Sequence, residues 1–98
     1  MENAITIVAI LSAKKGSEQV LRNELMKVVP PSLAEEGCVE YILHESKENP
    51  GQFVFYETWK DATALQEHLA SSHYQAFRQA VDTLLVNREV HQLSKLIN

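Results

Sequence analysis

The 98-residue sequence predicts a single α+β domain over residues 1–98, with one antiparallel sheet and its helices on one side. Three observations carry that expectation. Residues 5–11, Ile-Thr-Ile-Val-Ala-Ile-Leu, are β-branched or apolar at nearly every position. Residues 38–60 read as two strands joined at Asn49-Pro50-Gly51. Apolar residues recur at helical spacing before that hairpin and again after it.

The first run implies a strand covered on both faces, because a strand with one wet face would alternate. Lys14-Lys15-Gly16 ends it, and Ser17 suits the N-cap of a helix carrying Val20, Leu21, Leu25, Val28 and Val29 on one face. Pro30-Pro31 is expected to stop that helix or strain its last turn. Gly37 then opens an extended segment from about Cys38 to Lys47, and about Gln52 to Lys60 runs back beside it. Asp61 caps a short helix through Leu69, with Ala62, Leu65 and Leu69 on one face. Ser71-Ser72 interrupts it, and Ser72 with Gln75 forms a capping-box pattern for a further helix. There His73, Phe77, Val81, Leu84 and Leu85 line a single face, and about Arg88 to Ile97 suits a last strand.

The order strand, helix, strand, strand, helix pair, strand is the split β-α-β of the ferredoxin-like class. Helices on one side leave the opposite face of the sheet bare. Since the first strand is apolar on both faces, the expected cover is a second copy of the chain, packed sheet against sheet. Assembly beyond a homodimer is left open.

Composition removes several functions. Hydrophobic residues make up 45% and charged residues 22%, the ordinary balance of a globular chain. Nine Lys+Arg against 13 Asp+Glu give a net charge of -4, and the only close basic pair is Lys14-Lys15, so nucleic acid is not an expected partner. The longest apolar stretches are about seven residues, against roughly 18 for a membrane span, so no membrane association is expected. Met1-Glu2-Asn3 lacks the positive segment of a signal peptide, and Cys38 has no second cysteine to pair with. Both fit a cytoplasmic protein.

The return strand of the hairpin, Phe53-Val54-Phe55-Tyr56-Glu57-Thr58-Trp59, carries the first chemical signal. A period of two puts Phe53, Phe55, Glu57 and Trp59 on one face, so a carboxylate stands in an aromatic row. Burial would raise its pKa unless a cation or several donors held it ionised. It is either a structural Glu paired with a cationic or hydroxyl side chain, or a pocket acid/base or anchor for a histidine. His68 lies at the edge of the short helix's apolar stripe, and His73 lies in the first turn of the next helix. Either alone is commonly a satisfied, partly buried histidine. Both flank one helix break, however, and a helix N-terminus disfavours the protonated imidazole, which leaves a usable base. His44 on the outbound strand faces either the pocket or the dimer seam, and His91 suits the surface. No third ligand is fixed by spacing beside His68 and His73, so no metal site is expected. Isolated Gly16, Gly37 and Gly51 form no phosphate-binding loop, and Cys38 reads as a core or interface thiol. Tyr41, Tyr56, Phe55, Trp59, Tyr74 and Phe77 read as core or interface residues that also suit a flat apolar slot for an aromatic ligand.

The stretch from Phe53 through Asp61, then Ala64-Leu65-Gln66-Glu67-His68-Leu69 and Ser72-His73-Tyr74-Gln75-Ala76-Phe77, resembles the antibiotic biosynthesis monooxygenase domain family. Tyr41-Ile42-Leu43-His44-Glu45-Ser46 and the turn at Pro50 share the resemblance, which runs over nearly the whole chain. It implies a dimeric α/β barrel with a ligand cavity between sheet and helices. Members include cofactor-independent monooxygenases of phenols and quinols, haem-degrading enzymes, and enzymes acting on a breakdown product of a quorum-sensing signal. The Asn, Trp and His of the haem-degrading branch fall near Ala9, His68 and Arg78 here, so that activity is disfavoured.

The expected function is therefore a cofactor-independent monooxygenase acting on a phenol or hydroquinone. His68 or His73 would be the base and Glu57 the group orienting it. Phe55, Trp59, Tyr41, His44 and Phe77 would contact the substrate. The alternatives are an isomerase of a small carbonyl metabolite, or a non-catalytic dimer that holds an aromatic ligand. A phosphorylated metabolite would need a cation, for which Arg22, Lys27 and Arg78 are the candidates.

Overall fold

A computed structural model of the chain describes residues 3–98. Met1 and Glu2, which enter the signal-peptide expectation, lie outside the described residues. The order is β1 (Ile5–Ala13), α1 (Glu18–Leu33), β2 (Cys38–Glu45), β3 (Gln52–Trp59), α2 (Ala62–Ala70), α3 (Ser72–Val81), a single 3-10 turn (Asp82–Leu84) and β4 (Leu85–Leu93). The four strands form one antiparallel sheet in the order β2-β3-β1-β4, the ferredoxin-like arrangement.

The β-branched run forms β1, which has a hydrogen-bonded neighbour on each side. Its Ile7, Ala9 and Leu11 are buried beneath the helices, beside Glu57, Phe55 and Phe53 of β3. Thr6, Val8 and Ile10 lie on the other face and are only half buried. Across that face, Ile42 and Tyr56 are exposed.

Helix α1 runs through Pro30 and Pro31 to Leu33, so the prolines fall within its last turn and do not stop it. Each proline removes one N–H from the last turn and deprives only the carbonyls of Met26 and Lys27, both on exposed residues. Ala34 N–H then bonds the Pro30 carbonyl at 3.1 Å, so the turn closes beyond the prolines. Ser17 precedes the helix as expected, but its side chain makes no cap bond.

Asp61 caps α2 by accepting the Ala64 N–H at 2.8 Å. The cap of α3 is Ser71 rather than Ser72, because Ser71 has the extended backbone of an N-cap and its Oγ accepts the Tyr74 N–H. Gln75 closes no capping box; its amide donates to the Leu69 carbonyl at the end of α2. Helix α3 ends at Val81, short of Leu84 and Leu85, since Lys14 N–H captures the Leu84 carbonyl and Leu85 enters the sheet opposite Ala13. The last strand accordingly spans Leu85–Leu93, earlier than the expected 88–97, and Ser94 to Asn98 leave the sheet. No helix among the described residues is long and apolar enough to cross a membrane.

Candidate active site

The sheet and the α2–α3 pair enclose a cavity of about 580 Å³, within the range of small-molecule sites. Its floor is the helix-facing row of the sheet: Ile7, Ala9 and Leu11 of β1, Phe55 and Glu57 of β3, and Tyr41 of β2. Leu65, His68, Tyr74 and Phe77 form the roof, and Arg88, Val90 and Gln92 of β4 the open side.

His68 lies in the last turn of α2 and is 1% exposed. Its ring stacks on Trp59 at 4.3 Å and lies near Tyr41 and Tyr74. Nδ1 is 2.6 Å from Oε2 of Glu35, and Nε2 of His73 is 2.7 Å from the same oxygen. One carboxylate oxygen thus accepts from both imidazoles, which assigns the Nδ1–H tautomer to His68. Nε2 of His68 is then left with its lone pair, buried and without a hydrogen-bond partner. His68 lines the cavity, whereas Glu35, which holds its Nδ1, does not. Burial lowers the His68 pKa, against the pull of Glu35, and keeps the ring neutral.

Glu57 faces this cavity and not the open face of the sheet. Its partner is Trp59, whose Nε1–H donates to Oε1 at 2.7 Å, and not a histidine. Burial is the main cause that pushes its carboxyl up to about 7, with the nearby Glu35 charge adding to it and the Trp59 bond opposing it. The role expected of Glu57, anchoring the histidines, is filled by Glu35 from the loop after α1. Tyr41 packs on Phe55 at 5.1 Å, and burial raises its phenol well above the usual range, so it remains a proton donor.

The structure brings together Glu57, His68, Tyr41, Phe55 and Phe77 on the cavity wall. Trp59 lies behind the wall as the platform under His68, and His73, outside the lining, bonds Glu35 with its ring 5.9 Å from that of His68. His44 is not brought to the cavity. The register that pairs Tyr41 with Glu57 pairs His44 with Val54, on the opposite face of the sheet. Arg22 is paired with Glu45 and Lys27 with Glu24, and neither they nor Arg78 lines the cavity. The cation that does is Arg88. Burial raises Cys38 to about 11, as suits an unreactive thiol.

Glu35 is also a third ligand-type group beside His68 and His73, the one that spacing did not supply. The three donor atoms lie within 4.8 Å of one another, so this trio is the group among the described residues that could hold a metal ion. Both nitrogens nevertheless lie at hydrogen-bond distance from a single oxygen, which is the geometry of a shared acceptor. In the sequence, Glu35 is one of two glutamates before Gly37, with no periodicity to mark it.

The profile of the family described as "Antibiotic biosynthesis monooxygenase" matches residues 4–80. The chain belongs to that family. Among relatives in the family, "Putative monooxygenase Rv0793" of Mycobacterium tuberculosis is 33% identical over 87% of this chain and 83% of its own length. "Probable quinol monooxygenase YgiN" of Escherichia coli is 28% identical over 90% of this chain and 96% of its own. The crystal structure of PA3566 from Pseudomonas aeruginosa superposes with a TM-score of 0.94 at 34% identity, covering 99% of this chain and 98% of that one. Membership carries the reading of the chain as a monooxygenase-type enzyme.

Proposed function

We propose that this chain oxidises a phenolic or hydroquinone small molecule with dioxygen, using no metal or organic cofactor, with His68 as the base. The observation that carries the reading is the buried, unpartnered Nε2 of His68, a residue of the cavity lining. A neutral imidazole so placed takes the proton of a hydroxyl bound in the cavity. The imidazolium that forms is met at Nδ1 by Glu35, as a carboxylate meets the histidine of an acid/base pair. The resulting phenolate transfers electrons to dioxygen more readily than the phenol. For a hydroquinone the reaction balances as hydroquinone plus dioxygen giving hydroxyquinone plus water. The substrate supplies four electrons; one oxygen atom replaces a ring hydrogen, and the other leaves as water with the proton that His68 held. Tyr41, Phe55 and Phe77 wall the ring, and Glu57 offers a polar partner for a second hydroxyl. The family description supports the oxygenase chemistry, and the name of the Escherichia coli relative, a probable quinol monooxygenase, supports the substrate class.

The same reading takes the protein as a cytoplasmic homodimer, with a second copy on the sheet face that carries Val8, Ile10, Ile42, Val54 and Tyr56. Ile42 and Tyr56 there are 43% and 36% exposed in the single chain, an unfavourable state for apolar residues in a row.

The test is oxygen consumption by purified, chelator-treated protein against a panel of quinols and hydroxylated polycycles. Uptake above autoxidation is expected, with a loss of about 100-fold in His68→Gln at an unchanged melting temperature. No uptake above the His68→Gln control across the panel would overturn the reading and favour proton transfer without oxygen.

A further inference from the structure

The cavity has two polar ends, and only one of them is used by the chemistry above. The strand register places them. Trp59, on which His68 stacks, and its partner Glu57 lie opposite Ile5 and Ile7 of β1, whereas Arg88 lies opposite Leu11. The backbone levels of Glu57 and Arg88 are four residues of strand apart, about 13 Å, while the Tyr74 ring that Arg88 bonds lies 4.9 Å from the His68 ring. Between the two ends the wall is Ala9, Phe55, Phe77 and Val90, with no charged group.

Arg88 is the single lysine or arginine of the cavity lining, and it takes part in none of the ion pairs of the described residues. Its guanidinium donates one N–H to the Tyr74 hydroxyl at 3.2 Å. That bond holds the planar fork beside the cavity and leaves the Tyr74 O–H free to donate in turn. Two donors of this kind, one of them charged, match the two oxygens of a carboxylate. A phosphate dianion is a poorer match, because one cation would face two charges in a cavity that already contains Glu57.

We propose that the substrate carries a carboxylate in addition to its reacting hydroxyl, held by Arg88 and the Tyr74 hydroxyl. This extends the reading of the cavity as an oxygenase site by naming the class of substrate: a hydroxylated aromatic acid, not a neutral quinol. Net charge of the chain is -4, so without such a subsite an anionic substrate would be repelled.

The experiment compares 5,8-dihydroxy-2-naphthoate with its methyl ester by anaerobic titration calorimetry, so that binding is measured without turnover. The acid is expected to bind wild type about tenfold or more tightly than the ester. Arg88→Gln should erase that preference by weakening the acid, and Arg88→Lys should restore part of it through charge without the fork. Equal affinity of acid and ester for wild type, or an undiminished preference in Arg88→Gln, would overturn the subsite. Oxygen uptake with the same pair is read separately. A calorimetric preference without uptake leaves the subsite standing and removes the oxygenase reading, whereas uptake from the ester at the KM of the acid does the reverse.

Discussion

Glu35 and His68 are 33 positions apart in the chain and share a 2.6 Å hydrogen bond. The same carboxylate oxygen receives His73, so a loop residue sets the tautomer of a helix residue and ties α2 to α3. Glu35→Gln retains an acceptor but removes the charge that meets the imidazolium. Turnover is expected to fall about tenfold or more, and the acid limb of the pH profile to shift down, since the His68 pKa loses the group that raises it. An unchanged profile would show that Glu35 is merely structural.

His73 touches the carboxylate from outside the cavity, which makes it a positioning residue. His73→Gln should lower kcat less than His68→Gln does, by less than about tenfold, and leave KM unaltered. A raised KM, or a loss as large as that of His68→Gln, would count against this division of roles.

The Glu57 carboxyl gives a prediction on stability. Between the ordinary 4.5 and about 7, the folded chain holds a proton that the unfolded chain has released. Stability is therefore lost as pH rises through that window. Glu57→Gln keeps an acceptor for Trp59 and removes the titration, so it should gain about 1–3 kcal/mol on wild type between pH 5 and pH 8. His68 acts in the opposite direction, losing stability as pH falls below its usual 6.5, but it does so in both proteins and cancels in the comparison. Parallel denaturant midpoints for the two chains across pH would contradict the buried, titrating Glu57.

Gly37 sits against the first turn of α2, where a Cβ would lie 2.2 Å from the Ala64 Cβ. That close approach delivers Glu35 to His68, which follows Ala64 by one turn on the same helix face. Gly37→Ala should cost about 1–3 kcal/mol of stability and lower turnover as well, and adding Ala64→Gly should recover part of both. Additive effects in the double variant would show that the contact does not position the loop.

The fold was legible because its signals are local. The apolar β1, the hairpin turn at Pro50 and the helical spacing of Leu21, Leu25 and Val28 each act within a few residues, and the sheet order follows from them. The errors lie at element ends, where single backbone bonds decide, as Lys14 to Leu84 starts β4 early. The site was half legible. Period-two alternation put Glu57 on the aromatic face, and the helix break drew attention to His68 and His73. Glu35 and Arg88 reach the site through tertiary contacts, which leave no pattern in the chain. His44 was misplaced because one register step decides between the two faces of β2.

Trp59 is the only tryptophan of the chain, fully buried, stacked on His68 and bonded through its indole N–H to Glu57. The site therefore contains its own optical reporter. Protonation of Glu57 and filling of the cavity both alter the surroundings of a single fluorophore. Each is readable as a change in indole emission without labelling, and no second tryptophan dilutes the signal.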